Sequence, residues 1–299
     1  MTAAQRPVGY IGLGNIGAPM AKRLLAWPGG LVVFDTRTEA VEPFVQAGAT
    51  AAASPSEVAQ AADLVCVTVV NDEQVRQVLT GPDGILAGAA PGTVVAVHST
   101  ISDATAVELA AVCAEAGVDL VDAPVSGGAA GAATGALAVM VGGSERAFAA
   151  VREPFGLIGE LVLHAGEVGA GTRMKLARNL LHFVAFTAVT EAAQLAEAAG
   201  LNLVDLGKVV RHSDALTGGA GAIMHRDTAA PVADSDGWHA ILSHVRNLGE
   251  KDLSLALDLG ERTKVDLPLA RLALARLGPG LGVGQGSTAR EAAADQEQQ

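Results

Sequence analysis

Short apolar runs of strand length alternate with helical patterns through the first half of the chain. The strand-like runs are, in order, VGYIGLG, LVVFD, DLVCVTVV, TVVAVHST and VDLVDAP. Several are apolar along most of their length, which is typical of parallel strands buried on both faces. Helical patterns such as GAPMAKRLLAW and SDATAVELAAVCAEAG lie between them. The alternation predicts, for residues 1–165, an α/β domain with a doubly wound, mostly parallel sheet covered by helices on both faces.

The pattern changes after about residue 165. From about 170 to 199 no proline interrupts a helical pattern, and Gly200 follows as a natural C-cap. At ~1.5 Å per residue such a helix would be roughly 45 Å long. Further helical segments follow, namely LVDLGKVVRHSD, HVRNLGEKDLSLALDLGERT and LPLARLALARLG. We therefore expect residues 166–299 to form an all-α C-terminal domain, joined to the first domain by the long helix.

Composition excludes several classes of protein. The net charge of −12 argues against a nucleic-acid-binding surface or an anionic-membrane surface. The cysteines, Cys66 and Cys113, fall in apolar segments, and no Cys/His spacing typical of a metal site occurs. No uncharged apolar run has the length of a membrane span, and MTAAQRPVGY lacks the apolar region of a signal peptide. These features predict a cytoplasmic protein without a metal ion.

A glycine-rich hexapeptide, GLGNIG, follows the first strand and precedes a helix. In this GxGxxG pattern Gly12 permits a tight turn, Gly14 lets the backbone approach a pyrophosphate, and Gly17 lets helix and strand pack closely. The phosphate would lie at the helix N-terminus, where free N–H groups favour an anion. The pattern predicts a Rossmann-type dinucleotide-binding loop; a glycine-rich turn in an unrelated α/β protein is the alternative. The loop residues expected to bind the cofactor are Gly12, Leu13, Gly14, Asn15, Ile16 and Gly17.

An acidic residue, Asp35, ends the second strand, 21 residues after Gly14. Its carboxylate would accept hydrogen bonds from the adenosine ribose and would repel a 2′-phosphate, so NAD is the favoured cofactor. Thr36 and Arg37 come next and are also expected to lie at the cofactor. Because Arg37 could contact a 2′-phosphate, NADP remains the alternative.

Three further stretches are informative together: DAPVSGG (122–128), GAGTRMKLARN (169–179) and NLGEKDLSLALDLG (247–260). With GYIGLGNIGAPMAKRL at the front, the chain resembles the β-hydroxyacid dehydrogenase family, which includes 3-hydroxyisobutyrate dehydrogenases and tartronate semialdehyde reductases. The motifs keep the family's order from about residue 7 to about residue 280. The resemblance implies a nucleotide-binding domain, an all-α domain, and a homo-oligomer, dimer or tetramer, formed largely through the helical domain.

Lys175 matches the family's catalytic lysine, and Asn179 lies one helical turn later. An unperturbed lysine, with a pKa near ~10.4, is a poor base at neutral pH, but burial beside a cationic nicotinamide would lower that pKa. A solvated helix face is the ordinary alternative for a Lys/Asn pair at this spacing. The family usually carries Asn where this chain has Arg178, which either faces solvent or alters the hydrogen bonding near Lys175. We expect the apolar stretch after Asn179 to be buried against other helices.

Two more segments match substrate-binding positions of the family. Ser126, Gly127 and Gly128 match the loop that holds the substrate carboxylate, and a hydroxyl with successive backbone N–H groups suits a small anion. A flexible Ser-Gly-Gly loop is the alternative. Lys251 matches a second lysine, which closes over substrate and cofactor. Asp252 projects about 100° away around a helix, so the two side chains are not expected to pair.

Other strand ends carry further expected cofactor contacts. Thr100 matches a position beside the nicotinamide, at the carboxyl end of a parallel strand, where ligands bind in such sheets. Val69, Val70 and Asn71, which follow another strand, should line the cofactor. The family often has Met-Leu-Pro where this chain has Thr68, Val69 and Val70, so we expect altered packing on the adenine side.

Two histidines lie near these positions in sequence. His98 precedes the expected nicotinamide contact and is either a polar strand-end residue or part of the pocket. His182 is two helical turns after Lys175 and either makes a helix–helix contact or lines the pocket floor.

The resemblance implies an NAD(P)-dependent oxidoreductase that transfers a hydride between nicotinamide and a small 3-hydroxy acid, such as 3-hydroxyisobutyrate, or the matching semialdehyde. Lys175 would be the general acid/base. The alternatives are a reductase of a larger semialdehyde or of glyoxylate, an imine reductase, and a catalytically silent nucleotide-binding module. Imine reductases typically replace the lysine, so Lys175 and the Ser126 loop favour the dehydrogenase. Substrate selectivity is expected to depend on residues 212–238.

Overall fold

The computed structural model describes residues 5–284, apart from residues 225, 227 and 229. Contacts between residues divide the chain into two compact units, the first ending at Asn179 and the second beginning at Leu180. The division falls inside one long helix.

The first unit is built from strands that alternate with helices. Its described residues form the strands β1 (Val8–Ile11), β2 (Leu31–Phe34), β3 (Thr50–Ala51), β4 (Leu64–Val67), β5 (Val94–Val97), β6 (Asp119–Asp122), β7 (Val125–Ser126), β8 (Leu137–Gly142) and β9 (Gly159–Gly166). They also form the helices α1 (Gly17–Leu24), α2 (Thr38–Gln46), α3 (Pro55–Ala61), α4 (Asp72–Thr80), α5 (Ile85–Gly88), α6 (Asp103–Glu115), α7 (Gly128–Thr134) and α8 (Glu145–Phe155).

These strands form one sheet in the order β3-β2-β1-β4-β5-β6-β8-β7, with β9 paired to β8. The neighbours from β3 to β6 are parallel, whereas β8 runs antiparallel to β6 and β7 and parallel to β9. The strand order reverses between β1 and β4, and ligands of such sheets bind beyond the carboxyl ends of the strands at that point. The predicted Rossmann-type, doubly wound, mostly parallel sheet is confirmed.

Neighbouring side chains of the central strands pack on opposite faces of the sheet. Tyr10 belongs to a core with Met20 of α1 and Phe155 of α8, while the adjacent Ile11 belongs to a second core with Leu109 of α6. Because both faces are buried, the strands need apolar residues at nearly every position, which explains their continuous apolar runs. Packing on both faces of the sheet fixes the carboxyl ends of these strands and so positions the residues that follow them.

The long helix α9 (Ala170–Ala198) spans the division, and the described part of the second unit continues with three more α-helices. These are α10 (Leu203–Thr217), α11 (Gly237–Thr263) and α12 (Pro268–Leu281), with a short 3-10 helix at Gly219–Gly221. Glu191 of α9 accepts hydrogen bonds from the first backbone N–H groups of α12, those of Leu269 (2.6 Å) and Ala270 (2.9 Å). The predicted all-α C-terminal part is confirmed. None of the described helices is both long enough and apolar enough to cross a membrane.

The apolar stretch that follows Asn179 is exposed, so the expectation that other helices bury it is wrong for the single chain. Leu180 is 68% exposed, Phe183 58%, Phe186 55% and Val189 60%. Among the described residues, the ring of His182 contacts only aromatic rings of its own helix, with its centroid 5.4 Å from that of Phe183 and 4.3 Å from that of Phe186. α10 also contains no buried residue. One chain does not supply the surface that these side chains would need.

Candidate active site

The glycine loop joins β1 to α1 with three glycines in distinct situations. Gly12 has φ +93°, and a Cβ there would overlap the Thr68 carbonyl of the neighbouring strand connection. A Cβ on Gly17 would overlap the Gly12 carbonyl. At Gly14, in contrast, a Cβ would meet nothing within 4 Å. Gly12 and Gly17 are therefore required by the fold, whereas Gly14 leaves open space beside the backbone.

A cavity of about 470 Å³ lies at the carboxyl ends of β1, β2 and β4. Its volume is within the range of small-molecule sites. Seven residues predicted from the sequence to bind cofactor line it: Gly12, Gly14, Asp35, Thr36, Arg37, Val69 and Val70. Six other cofactor-binding residues predicted in the first unit are not among its lining: Leu13, Asn15, Ile16, Gly17, Asn71 and Thr100. Lining residues that the sequence analysis did not assign to the cofactor are Ile11, Phe34, Thr68, Gln74, Gln77 and Val78. The i, i+3, i+4 spacing of the last three on α4 is the signal that could have identified them.

Asp35 is the acidic group of this cavity, and it is already hydrogen-bonded. Its Oδ2 accepts the backbone N–H of Leu13 (2.7 Å), and its Oδ1 accepts the backbone N–H (2.9 Å) and Nε (3.1 Å) of Arg37. Partial burial raises the pKa of Asp35, but hydrogen bonds from Arg37 and Leu13 and the guanidinium charge outweigh it, so the pKa is lowered overall. The cavity therefore contains an ionised carboxylate that accepts hydrogen bonds from an exposed arginine.

These groups fit a dinucleotide. The first turn of α1 contains no acidic residue, and no side chain caps the free N–H groups at its N-terminus, as an anion-binding helix end requires. The open space at Gly14 lies next to that terminus in sequence. Asp35 can accept from a ribose hydroxyl through the lone pairs that its present partners leave.

Two strand-end residues, Asn71 and Ser99, hold the local backbone through side-chain hydrogen bonds. The side-chain oxygen of Asn71 accepts the N–H of Gln74 (2.9 Å) and caps α4, so this oxygen is committed to the helix. Ser99, which the sequence analysis did not single out, exchanges two hydrogen bonds of 2.8 Å with the backbone N–H and carbonyl of Val69. Ser99 thus fixes the cavity wall, while its neighbour Thr100 is exposed.

His98 is buried in the core rather than standing at the nicotinamide position. Its Nδ1 forms a 2.8 Å hydrogen bond with the carbonyl of Ala123, and its ring packs against Tyr10 and Phe155. Burial lowers the pKa of His98 to about 4, so the ring is neutral at physiological pH. Its interpretation as a pocket residue is wrong, because this strand position points to the α8 side of the sheet.

Lys175 lies in the second turn of α9 and is only 8% exposed. Within the described chain its ammonium has no hydrogen-bond or ion-pair partner. Burial lowers the pKa of Lys175, and the nearby positive charge of Arg178 lowers it further. Arg178 itself is exposed and donates a long 3.4 Å hydrogen bond to Oδ1 of Asn179. Its side chain therefore faces solvent and still acts on both predicted catalytic residues.

The proposed carboxylate loop joins β7 to α7. Gly127 and Gly128 have φ values of +133° and +65°, which only glycine adopts without strain. Ser126 precedes them and is half-buried. The loop is therefore a defined turn, and its conformation requires both glycines.

Lys251 lies in the middle of α11 and is exposed, with an ion pair of 2.9 Å between its Nζ and Oδ1 of Asp252. The expectation that these neighbours do not pair is wrong. Adjacent helical side chains leave the axis about 100° apart, but the long lysine stem lets the ammonium bend to the carboxylate. The role of Lys251 toward substrate and cofactor stays a prediction.

Comparison with known families defines the class of protein. A model of the NAD-binding domain of 6-phosphogluconate dehydrogenase matches residues 7–166. A model described as NAD-binding of NADP-dependent 3-hydroxyisobutyrate dehydrogenase matches residues 169–288. Together with the fold and the cavity, these matches make the chain an NAD(P)-binding oxidoreductase. It belongs to the β-hydroxyacid dehydrogenase family, of the 3-hydroxyisobutyrate dehydrogenase type, as the motifs predicted.

Individual relatives extend over nearly the whole chain. An uncharacterized oxidoreductase of Mycobacterium tuberculosis H37Rv is 63% identical over 92% of this chain and 93% of its own. The NAD-dependent L-serine dehydrogenase of Pseudomonas aeruginosa is 37% identical over 90% of each. These relatives show the family and leave the substrate of this chain open.

Solved structures show the same fold. A candidate oxidoreductase from Mycobacterium avium 104 has a TM-score of 0.90 and 55% identity, over 94% of this chain and 100% of its own. A Mycobacterium tuberculosis 3-hydroxyisobutyrate dehydrogenase with L-serine has a TM-score of 0.65 and 31% identity, over 92% of this chain and 93% of its own. An imine reductase of Myxococcus stipitatus with NADP⁺ (TM-score 0.74) covers 94% of this chain and 96% of its own. At 19% identity it shares the fold alone.

Proposed function

We propose that this enzyme transfers a hydride between NAD(P) and a small 3-hydroxy acid, such as 3-hydroxyisobutyrate, or the matching semialdehyde. The observation that supports this most is Lys175: a buried, unpaired amine whose pKa is lowered by burial and by Arg178. A lysine whose pKa is lowered exchanges a proton at neutral pH more readily than an ordinary lysine. A purely structural lysine would instead be expected to be paired or to reach solvent.

The bound nicotinamide supplies the hydride acceptor for oxidation and the hydride donor for reduction. In the oxidative direction neutral Lys175 takes the proton of the substrate hydroxyl. In the reductive direction the ammonium of Lys175 polarises the carbonyl oxygen and returns the proton to it. Asn179, one turn away, would orient the amine or the substrate oxygen without adding a charge.

Ser126 and the backbone N–H groups of Gly127 and Gly128 would hold the substrate carboxylate. Both glycines have positive φ angles, and successive backbone N–H groups in such turns can form a concave anion-binding arrangement. L-Serine is the second candidate substrate, because one relative is an L-serine dehydrogenase and a solved relative was crystallised with L-serine. Serine is itself a 3-hydroxy acid, so both candidates fit the same reaction.

For the cofactor we propose NAD over NADP, on the ground that the ionised Asp35 stands in the cavity where a 2′-phosphate would bring further negative charge.

The test is a nicotinamide-absorbance assay with 3-hydroxyisobutyrate, L-serine, other short 3-hydroxy acids, glyoxylate and succinic semialdehyde. We expect turnover of at least one short 3-hydroxy acid, and in Lys175→Ala a loss of at least about 100-fold in kcat with NAD affinity retained. Lys208→Ala is the matched control, since Lys208 is exposed and pairs only with Asp205 among the described residues. Cofactor binding without turnover of any hydroxy acid would instead favour the silent module. Full turnover by Lys175→Ala would contradict the role of Lys175.

We further propose that the active form is a homo-oligomer in which a second copy covers the exposed apolar side chains of α9 and α10. Exposed apolar surface of this extent is unusual on a monomeric protein and marks an interaction surface. Repeated contact between identical faces is the usual way in which such surfaces are covered.

A further inference from the structure

Asp122, the last residue of β6, is a fully buried carboxylate whose two oxygens are both hydrogen-bonded. Oδ1 accepts the backbone N–H of Gly169 (2.7 Å), and Oδ2 accepts the backbone N–H of Thr172 (2.6 Å). Both donors belong to the first turn of α9 or directly precede it. Burial raises the pKa of Asp122, and these hydrogen bonds oppose that rise. The carboxylate therefore clamps the start of α9 to the end of β6.

The backbones around this clamp leave no room for adjustment. Gly142 lies opposite Asp122 in the sheet, and a Cβ there would overlap Oδ1 of Asp122. A Cβ on Gly171, in the first turn of α9, would overlap the carbonyls of Met140 and Asp122. The helix thus starts in direct backbone contact with the sheet, and the Asp122 carboxylate is closely packed at this contact.

The same residue connects two segments that the proposed reaction must bring together. Lys175 follows Thr172 by three residues, nearly one helical turn, so the position and rotation of its side chain follow from how Asp122 holds the first turn. Ser126 follows Asp122 by four residues along the chain. The intervening segment is itself fixed, because the carbonyl of Ala123 is hydrogen-bonded to the buried His98.

We propose that Asp122 is a positioning residue for hydride transfer, which holds α9 so that Lys175 stands at a fixed place relative to the Ser126–Gly128 loop. This inference rests on the proposed function, in which Lys175 exchanges the substrate proton. A displacement of a catalytic group by about 1 Å can cost about 100-fold in rate, so a clamp at the start of the helix has a large effect on chemistry.

The first test is Asp122→Asn, which keeps the shape but presents an N–H₂ donor to one of the two helix N–H groups. We expect kcat to fall at least about tenfold, while the affinity for NAD, measured by calorimetry without substrate, changes less than about twofold. Ser144→Ala is the matched control, since it removes the N-cap of α8 (the bond from Ala147 N–H, 3.2 Å) without touching the proposed site. The control should lower the melting temperature and leave kcat unchanged.

A second readout does not depend on activity. Pulse labelling with an amine-reactive reagent, followed by peptide mass spectrometry, should modify Lys175 several-fold faster in Asp122→Asn than in the native chain. Exposed Lys22 serves as the internal standard and should be labelled equally in both. A role in folding alone would lower stability without selectively exposing Lys175. Unchanged labelling of Lys175, or an unchanged kcat, overturns the proposal.

Asp122→Glu covers the case in which the asparagine variant does not fold. It retains the charge but adds a methylene where there is no space, so α9 must shift; we again expect NAD binding with reduced kcat and faster labelling of Lys175. Lys175→Ala distinguishes a failure of the Asp122 clamp from a failure of the proposed role of Lys175. If Lys175→Ala is inactive and both Asp122 variants retain full kcat, the clamp is wrong and the proposed function stands. If Lys175→Ala is fully active, the proposed proton-transfer role of Lys175 fails, and the clamp proposal fails with it.

Discussion

Arg178 acts on Lys175 from outside the site. Its exposed guanidinium contributes, after burial, to the lowered pKa of Lys175. Arg178→Ala removes that contribution and leaves the burial, so the pKa of Lys175 should rise part of the way to its ordinary value. Oxidation needs the neutral amine, and the acid limb of its pH profile should therefore move to higher pH. Because the charge is exposed and screened, we expect the shift to be small.

The measurement is kcat/KM for oxidation against pH, which reports groups of the free enzyme. Added salt should move the native profile in the same direction and should have less effect on Arg178→Ala. Arg173→Ala is the control on the same helix, since Arg173 is exposed and 3.4 Å from Asp103. A profile that moves to lower pH in Arg178→Ala would contradict the sign of this coupling.

Arg37 bears on the choice between NAD and NADP. Its guanidinium donates hydrogen bonds to Asp35, and Arg37 also lines the cavity. The guanidinium can therefore either neutralise that carboxylate or contact a 2′-phosphate. Arg37→Ala should weaken NADP binding by about tenfold and change NAD binding by no more than about twofold. Calorimetric titration of both cofactors measures this, with Arg152→Ala on α8 as an exposed-arginine control. Equal losses for the two cofactors would show that Arg37 only supports the fold.

Residue identities could be predicted from the sequence only where a motif assigns them. Asp35 and Lys175 were found because strand-end and family patterns point to them. Asp122 lay in a quoted motif but received no role, because its importance depends on the distant Gly169 and Thr172, 47 and 50 residues along the chain. The two interpretations of His98 stayed open, because an isolated polar residue in an apolar strand does not reveal which face it points to.

At the scale of elements, the five apolar runs predicted as strands are the parallel strands β1, β2, β4, β5 and β6. The other strands were not predicted. β3 and β7 are two residues long, so they carry no periodic pattern. β8 and β9 extend the sheet beyond the alternating region, where β8 turns antiparallel to β6. Tertiary contacts decide strand pairing of that kind, so a local sequence pattern does not predict it.

For helix α9, local sequence signals predicted the length but not the surroundings. Its length was predicted well, from about 170–199 against Ala170–Ala198, because unbroken helical propensity and a following Gly200 are local signals. Its environment was not predicted correctly, because apolar side chains indicate burial but do not show which surface covers them. Leu180 and Phe183 are apolar and remain exposed in the single chain.

At the scale of the whole molecule, the two units bury apolar surface very differently. The first unit has two large cores, one on each face of its sheet. The main buried cluster of the second unit consists of Val232, Leu242, Leu281 and Val283, at α11, α12 and the segments beside them. Four long helices with so small a core would be marginal alone, since helix stability in proteins comes mostly from packing of an apolar face. The second copy proposed above would supply the missing packing.

A charge on the exposed face of α9 should separate the copies. In Val189→Glu the interface would lose the apolar contact made by the valine. The new carboxylate would also lose its hydration, because it would be buried against apolar side chains of the second copy. Sedimentation and light scattering over a wide dilution range should show a dimer or larger for the native chain and a shift toward monomer for Val189→Glu. The matched control, Leu161→Glu, alters a side chain of the first unit that is comparably exposed, 57% against 60%, and should leave the mass unchanged. A native chain that stays monomeric at every concentration would rule out a second copy as the cover of α9, and its exposed leucines and phenylalanines would then require a different protein partner.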